Sequence, residues 1–190
     1  MKITLENLSV KFEKIVLENI NLDISENIAI MGASGSGKTT LLNVISGLIK
    51  QTSGKIRFSE KPRISFVFQE NRLFEEFSAM ENVRAVAPKD ITGEEISALL
   101  CGLGIEREDQ GKAVSLLSGG MKRRVSLARA LTYKSNILLL DEPFKGLDSK
   151  TREGCAKVIL EKAKDKLIVL VTHDKGEAEL LEIKNITELK

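Results

Sequence analysis

The stretch that most restricts this chain is Gly32-Ala33-Ser34-Gly35-Ser36-Gly37-Lys38-Thr39. It has the spacing G-x-x-x-x-G-K-[ST]. Before it lies an apolar run, Ile28-Ala29-Ile30-Met31, and after it a segment from Lys38 to about Leu48 whose Leu41, Leu42, Val44, Ile45 and Leu48 recur at helical spacing. A strand that feeds a glycine-rich turn and then a helix leaves few folds open. Glycines let the backbone curl until several N–H groups converge on one point, and the helix start adds the positive end of its dipole. Such a loop suits a chain of phosphates. Gly32, Ser34, Gly35, Ser36, Gly37, Lys38, Thr39 and Thr40 are the candidate contacts. Lys38 can reach the β- and γ-phosphates, and the Thr39 hydroxyl is a candidate Mg²⁺ ligand.

A second signal follows another bare apolar run. Ile137-Leu138-Leu139-Leu140 leads at once into Asp141-Glu142-Pro143. A strand that delivers a carboxylate at its C-terminal end suits metal binding by Asp141, and Glu142 beside it can polarise an attacking water. Leu167-Ile168-Val169-Leu170-Val171 is a further bare run, and such strands belong to parallel sheets buried on both faces. Residues 3–10, 20–30 and 64–68 also read as strands. Helices are expected over 119–131 with Ser118 as N-cap, over 149–164 and over 174–182, with a short polar tail at the end. Residues 75–113 mix amphipathic stretches near 76–85 and 93–103 with Pro88, Gly93, Gly102 and Gly104, and read as a small helical insertion. Strands alternating with helices imply an α/β fold with a mostly parallel sheet.

Charge and cysteine usage narrow the function classes. The formal net charge is only +2, which argues against nucleic acid as a partner. The basic run Lys122-Arg123-Arg124 reads as a solvated helix face. Cys101 and Cys155 fit no metal-ligand spacing and no secretion signal precedes them, so both are expected as free thiols in a reducing compartment. No apolar run approaches the roughly 20 residues that span a bilayer, so any membrane link is expected to come through a partner.

Together with Leu117-Ser118-Gly119-Gly120-Met121, these motifs resemble those of the ABC (ATP-binding cassette) ATPases over nearly the whole chain. The physical logic of that third motif stands beside the resemblance: Ser118 opens a helix whose first turn carries two glycines, so exposed N–H groups can meet phosphate. The resemblance implies a P-loop NTPase (RecA-like) core, an N-terminal antiparallel β-subdomain and an inserted α-helical subdomain. It implies one domain over 1–190, with 1–74 and 114–190 as the nucleotide-binding core and 75–113 plus the start of the signature helix as the helical part. It implies ATP and Mg²⁺ as ligands and a head-to-tail dimer in which Ser118, Gly119 and Gly120 serve the ATP held by the other copy.

By the same resemblance, Gln69 is the Q-loop glutamine, near Mg²⁺ or its water, and Gly146-Leu147-Asp148 is the D-loop. His173 is the switch histidine at the γ-phosphate, so Lys38, Glu142 and His173 form the catalytic set. Phe12 is either an adenine-stacking aromatic or a core residue of the first strand. The signature departs from the family in ending on Met121 rather than Gln, and the short stretch after His173 is expected to hold no regulatory domain.

Val67-Phe68-Gln69-Glu70 with Arg72-Leu73, Glu81-Asn82-Val83, Ser118 to Met121 and Asp141-Glu142-Pro143-Phe144 resemble importer ATPases for nitrate, sulfonate, taurine or thiamine precursors. That implies a peripheral subunit on the cytoplasmic face of the membrane, bound to a permease near residues 69–82, with a solute-binding protein as a further partner. An exporter or lipid-extracting ATPase, or a non-transport module, is the alternative.

Overall fold

In the computed structural model, which describes residues 1–189, the chain folds as two units that alternate along the sequence. The first takes in Met1–Phe66, Ser135–Glu142 and the chain from Asp165 onward. It begins with β1 (Ile3–Lys11) and β2 (Ile15–Ile24), an antiparallel pair. β3 (Ile28–Met31) follows, so the segment expected over 20–30 is two strands. The reason lies at Asn27. The chain leaves one sheet there and enters another, and the Asn27 amide oxygen accepts the Ile168 N–H at 2.9 Å. α1 (Lys38–Ile45) ends earlier than its apolar pattern suggests. Gly47 has φ 78°, and the N–H groups of Gly47 and Leu48 return to Val44 and Asn43 carbonyls. This left-handed turn closes the helix and leaves Leu48 exposed.

β4 (Ser53–Phe58) pairs antiparallel with β1 and completes a three-stranded sheet in the order β2-β1-β4. Ser53-Gly54, read from sequence as loop punctuation, opens this strand. Its first three residues are exposed, so no apolar alternation marks it. β5 (Ile64–Val67), β6 (Ile137–Asp141), β7 (Leu167–Val171) and β8 (Asn185–Glu188) join β3 in a five-stranded sheet, ordered β5-β6-β7-β3-β8. β6 pairs parallel with β7, and β3 pairs parallel with both β7 and β8. The three inner strands are the three bare apolar runs, buried at every position. β8 lies in the stretch read as a polar tail and occupies an edge, where alternate residues stay exposed. Ile28, Ile30, Leu42, Ile137, Leu139 and Val169 share one core with the inner face of the antiparallel sheet. Each such fully buried side chain contributes roughly 1.5–3 kcal/mol.

The second unit, Val67–Lys134 and Pro143–Lys164, is helical. It holds α2 (Ala79–Arg84), α3 (Gly93–Gly102), α4 (Arg107–Gln110), a 3₁₀ turn (Val114–Leu116), α5 (Gly119–Thr132) and α6 (Ser149–Lys162). It thus takes in more chain than 75–113, because α5 packs against α2, α3 and α6. Two capping boxes start its helices. Ser78 and Glu81 exchange hydrogen bonds at α2, and Thr92 and Glu95 do so at α3. These bonds, from Ser78 and Thr92 respectively, hold both carboxyls below the usual glutamate value. The last helix, α7 (Lys175–Leu180), returns to the first unit.

The basic run on α5 is not a solvated face. Arg123 is only 3% exposed; its guanidinium donates to the Pro143 carbonyl at 3.1 Å and to the carbonyls of Phe68 and Gln69. Arg124 donates to carbonyls of Gly120, Leu103 and Gly104. Loop carbonyls gather around α5, and only long side chains with several N–H donors can satisfy them.

Candidate active site

Three adjacent parallel strands set up the site. β6, β7 and β3 all run the same way, so their C-terminal ends open on one edge of the sheet. β3 ends at the glycine-rich loop, β6 ends at Asp141 and Glu142, and β7 leads through Thr172 to His173. Neighbouring strands lie about 4.8 Å apart, so the three ends fall within roughly 10 Å. The first unit therefore unites the sequence-selected Gly32 to Thr40, Asp141, Glu142 and His173.

The loop is shaped by its own chain. Gly32 has φ 151°, and a Cβ there would collide with the Leu189 carbonyl oxygen and lie 2.7 Å from the Ser36 hydroxyl. Gly37 has φ 91°, and a Cβ there would lie 2.7 Å from Leu17 Cδ2 and 2.9 Å from the Val16 carbonyl oxygen. Leu189 N–H donates to the Met31 carbonyl at 2.8 Å, so β8 backs the loop at its start. Lys38 is 9% exposed, and its ammonium donates to the carbonyls of Gly32 and Ala33 at 2.8 and 2.7 Å. The Ser36 hydroxyl oxygen is buried with no hydrogen-bond partner. An orphaned hydroxyl beside a backbone cradle that excludes Cβ atoms fits a phosphate group. Ser34, Gly35 and Thr39 are exposed at the loop and the first turn of α1, and Thr40 is half-buried.

The carboxylates differ in environment. Asp141 is 1% exposed. Glu142 has φ 47°, the left-handed region that a side chain seldom adopts, and its N–H is tied to the Val171 carbonyl at 2.9 Å. Such an outlier points to a functional constraint. The Glu142 side chain is 18% exposed and meets His173, with Oε1 3.3 Å from Nδ1. His173 in turn lines an open cavity of about 630 Å³ together with Gly32 and Ala33. Among the described residues no cluster of three or more His, Cys, Asp or Glu side chains could hold a metal. A metal here would rest on one buried carboxylate, the Thr39 hydroxyl, phosphate and water, the hard oxygen set that Mg²⁺ takes.

Phe12 is 56% exposed, so it is not a core residue of the first strand. It sits in the β1–β2 turn, and the start of β2 lies against Gly37, which puts the turn on the loop's side of the sheet. Gln69, Ser118, Gly119, Gly120 and Asp148 belong to the second unit. Gln69 is exposed. Ser118 caps α5, accepting the Met121 N–H at 3.2 Å. Asp148 caps α6, accepting from the side chain and N–H of Thr151, and these bonds hold its carboxyl below the usual aspartate value. Sequence reading missed Arg123 as the residue whose side chain binds the Gln69 carbonyl. Asn82 entered it only within Glu81-Asn82-Val83, without its structural role: fully buried, it donates to the carbonyls of Phe74, Phe77 and Ser78 and accepts the Phe74 N–H. The burial of an asparagine in a short helix leaves no signal in one sequence.

Comparison with known proteins agrees with this geometry. Residues 17–145 match the protein family described as ABC transporter. The chain is 37% identical over 201 residues to the taurine import ATP-binding protein of Roseobacter denitrificans, across 94% of this chain and 74% of that protein. It is also 37% identical over 187 residues to the macrolide export ATP-binding/permease protein of Haemophilus ducreyi, across 86% of this chain and 27% of that protein. Among solved structures it is similar to a dimeric ATP-binding cassette in a post-hydrolysis state bound to ADP and Pi. There the TM-score is 0.84 at 33% identity, over 99% of this chain and 94% of that one.

Proposed function

Since the chain belongs to the ABC transporter family and is one of its ATP-binding ATPase subunits, we propose that it drives import of a small solute through a membrane permease. The observation that carries its chemistry is the convergence of the Gly32–Thr39 loop, Asp141, Glu142 and His173 at one sheet edge. The loop N–H groups and Lys38 hold the triphosphate and meet the charge that develops on its terminal phosphoryl oxygens. Phe12 stacks on the adenine. Glu142 accepts a proton from the attacking water, and His173 holds Glu142 and the γ-phosphate in register. Thr39 and Asp141 would hold Mg²⁺, which when bound would shield the phosphate charges. Two copies meet head to tail, so that Ser118, Gly119 and Gly120 of each face the ATP of the other, with Asp148 at their junction.

The support for a permease partner lies in the second unit. Phe74 and Phe77 are 54% and 46% exposed with ring centroids 5.2 Å apart, and Leu116 is 77% exposed. The N–H groups of Val114 and Ser115 donate to the carbonyls of Phe77 and Glu75, which joins the two segments that carry these exposed side chains. Among the described residues no helix is long and apolar enough to cross a membrane. On this reading the subunit sits at the cytoplasmic face of the membrane, beside its permease. Import rather than export rests on the motif set around Gln69, Asn82 and Met121 and on the likeness to the taurine import protein. The test is to purify Glu142→Gln from membranes in mild detergent with ATP and to identify its partners. A multi-span permease is expected, with a solute-binding protein in the same complex. A soluble partner alone would sink the transport reading, and a permease that moves solute outward would reverse its direction.

A further inference from the structure

His173 depends for its direction on the residues to either side of it. Its side chain is 71% exposed and makes its contact with Glu142 at 3.3 Å. Thr172, just before it, is fully buried, and its N–H reaches the Ile30 carbonyl at the end of β3 at 3.4 Å. The Thr172 hydroxyl donates to Glu177 Oε2 at 2.6 Å and accepts the Asp174 N–H at 3.0 Å. The residue before His173 and the residue after it are thus joined at one hydroxyl. Glu177 is itself only 4% exposed. Capping of α7 does not require this arrangement, because the Asp174 side chain already accepts the Gly176 N–H at 2.8 Å. Burying a carboxylate is unfavourable unless it is hydrogen-bonded, and this one accepts from the hydroxyl that brackets His173.

We propose that Thr172 and Glu177 form a positioning pair, in which the hydroxyl held by Glu177 fixes the His173 peptide so that the imidazole faces Glu142. The pair is buried and acts through His173. The inference rests on the assignment of His173 and Glu142 made above. Thr172→Val removes the hydroxyl and keeps the β-branched shape. Thr172→Ser keeps the hydroxyl.

ATP turnover and nucleotide affinity of the purified full chain test the pair. Thr172→Val is expected to lower kcat by about tenfold to hundredfold, as small misplacements of a catalytic group do, while KM and ATP affinity stay within about twofold. Thr172→Ser is expected to retain most of the rate. Glu177→Leu, which removes the acceptor without opening a cavity, is expected to show the same split and serves if Thr172→Val does not fold. In a His173→Ala background, Thr172→Val is expected to add nothing, since it acts through the residue already lost. Full kcat in Thr172→Val beside an impaired His173→Ala overturns this inference alone. So does a further loss of equal size in the His173→Ala background, which marks a merely structural role. An undiminished His173→Ala overturns the assignment of the histidine, and this inference with it.

Discussion

Two glycine-bearing turns open helices in this chain, and their glycines are needed for different reasons. At Gly37 a Cβ would meet Leu17 and the Val16 carbonyl, and φ is 91°, so the chain itself demands glycine. At Gly119 a Cβ would meet nothing within 4 Å, and φ is ordinary. At Gly120 the nearest atom, Leu147 Cδ2, would lie 3.4 Å away, an ordinary contact. The first loop is built around its ligand by its own strands. The second is open, so nothing in this chain's own contacts calls for its glycines, and the head-to-tail partner proposed above would supply the reason.

The sharpest test of this contrast combines both loops. Glu142→Gln is expected to slow hydrolysis by about 10²- to 10⁴-fold and to accumulate an ATP-bound dimer, read by light scattering. Adding Gly119→Ala is expected to abolish that dimer while each copy still binds ATP. A dimer that survives Gly119→Ala would break the contrast. Next in size, Gly37→Ala forces a left-handed alanine, costing about 1–2 kcal/mol before the clash with Val16 is counted, and is expected to lower both Tm and ATP affinity. Gly119→Ala alone is expected to leave Tm unchanged or slightly raised, because alanine favours helix by up to about 1 kcal/mol over glycine. Equal losses of Tm in the two variants would remove the distinction.

Ser118→Ala is expected to cost about 1 kcal/mol by loss of the α5 cap and to weaken the dimer as well. Thermal melts set against dimerisation separate those two effects. The smallest effect concerns thiols in the second unit. Burial pushes the Cys155 thiol up to about 11, so at pH 8 it stays protonated and inert. Alkylation of the native protein, followed by mass spectrometry, is expected to mark the half-buried Cys101 and spare Cys155.

Much of this fold is legible in the residues because its central strands carry no polar residue to confuse the pattern. Ile28–Met31, Ile137–Leu140 and Leu167–Val171 are buried on both faces, and each ends at a functional group. The edge strands are a different matter. β4 and β8 expose half or more of their residues, so Ser53-Gly54 looks like a turn and Asn185–Glu188 like a tail. Arg123 shows the same limit in reverse. A basic residue within a basic run reads as surface, yet two loops, one at Phe68 and Gln69 and one at Pro143, turn their carbonyls toward it.

The sequence by itself determined the chemistry, because a phosphate loop, a carboxylate pair after a bare strand and a histidine after another are local patterns set by spacing. Only the tertiary structure decided which groups meet. That Glu142 lies 3.3 Å from His173 and that the end of β8 closes the back of the loop both depend on strand order. Strand order is set by how the whole core packs, and no local window of residues contains that information.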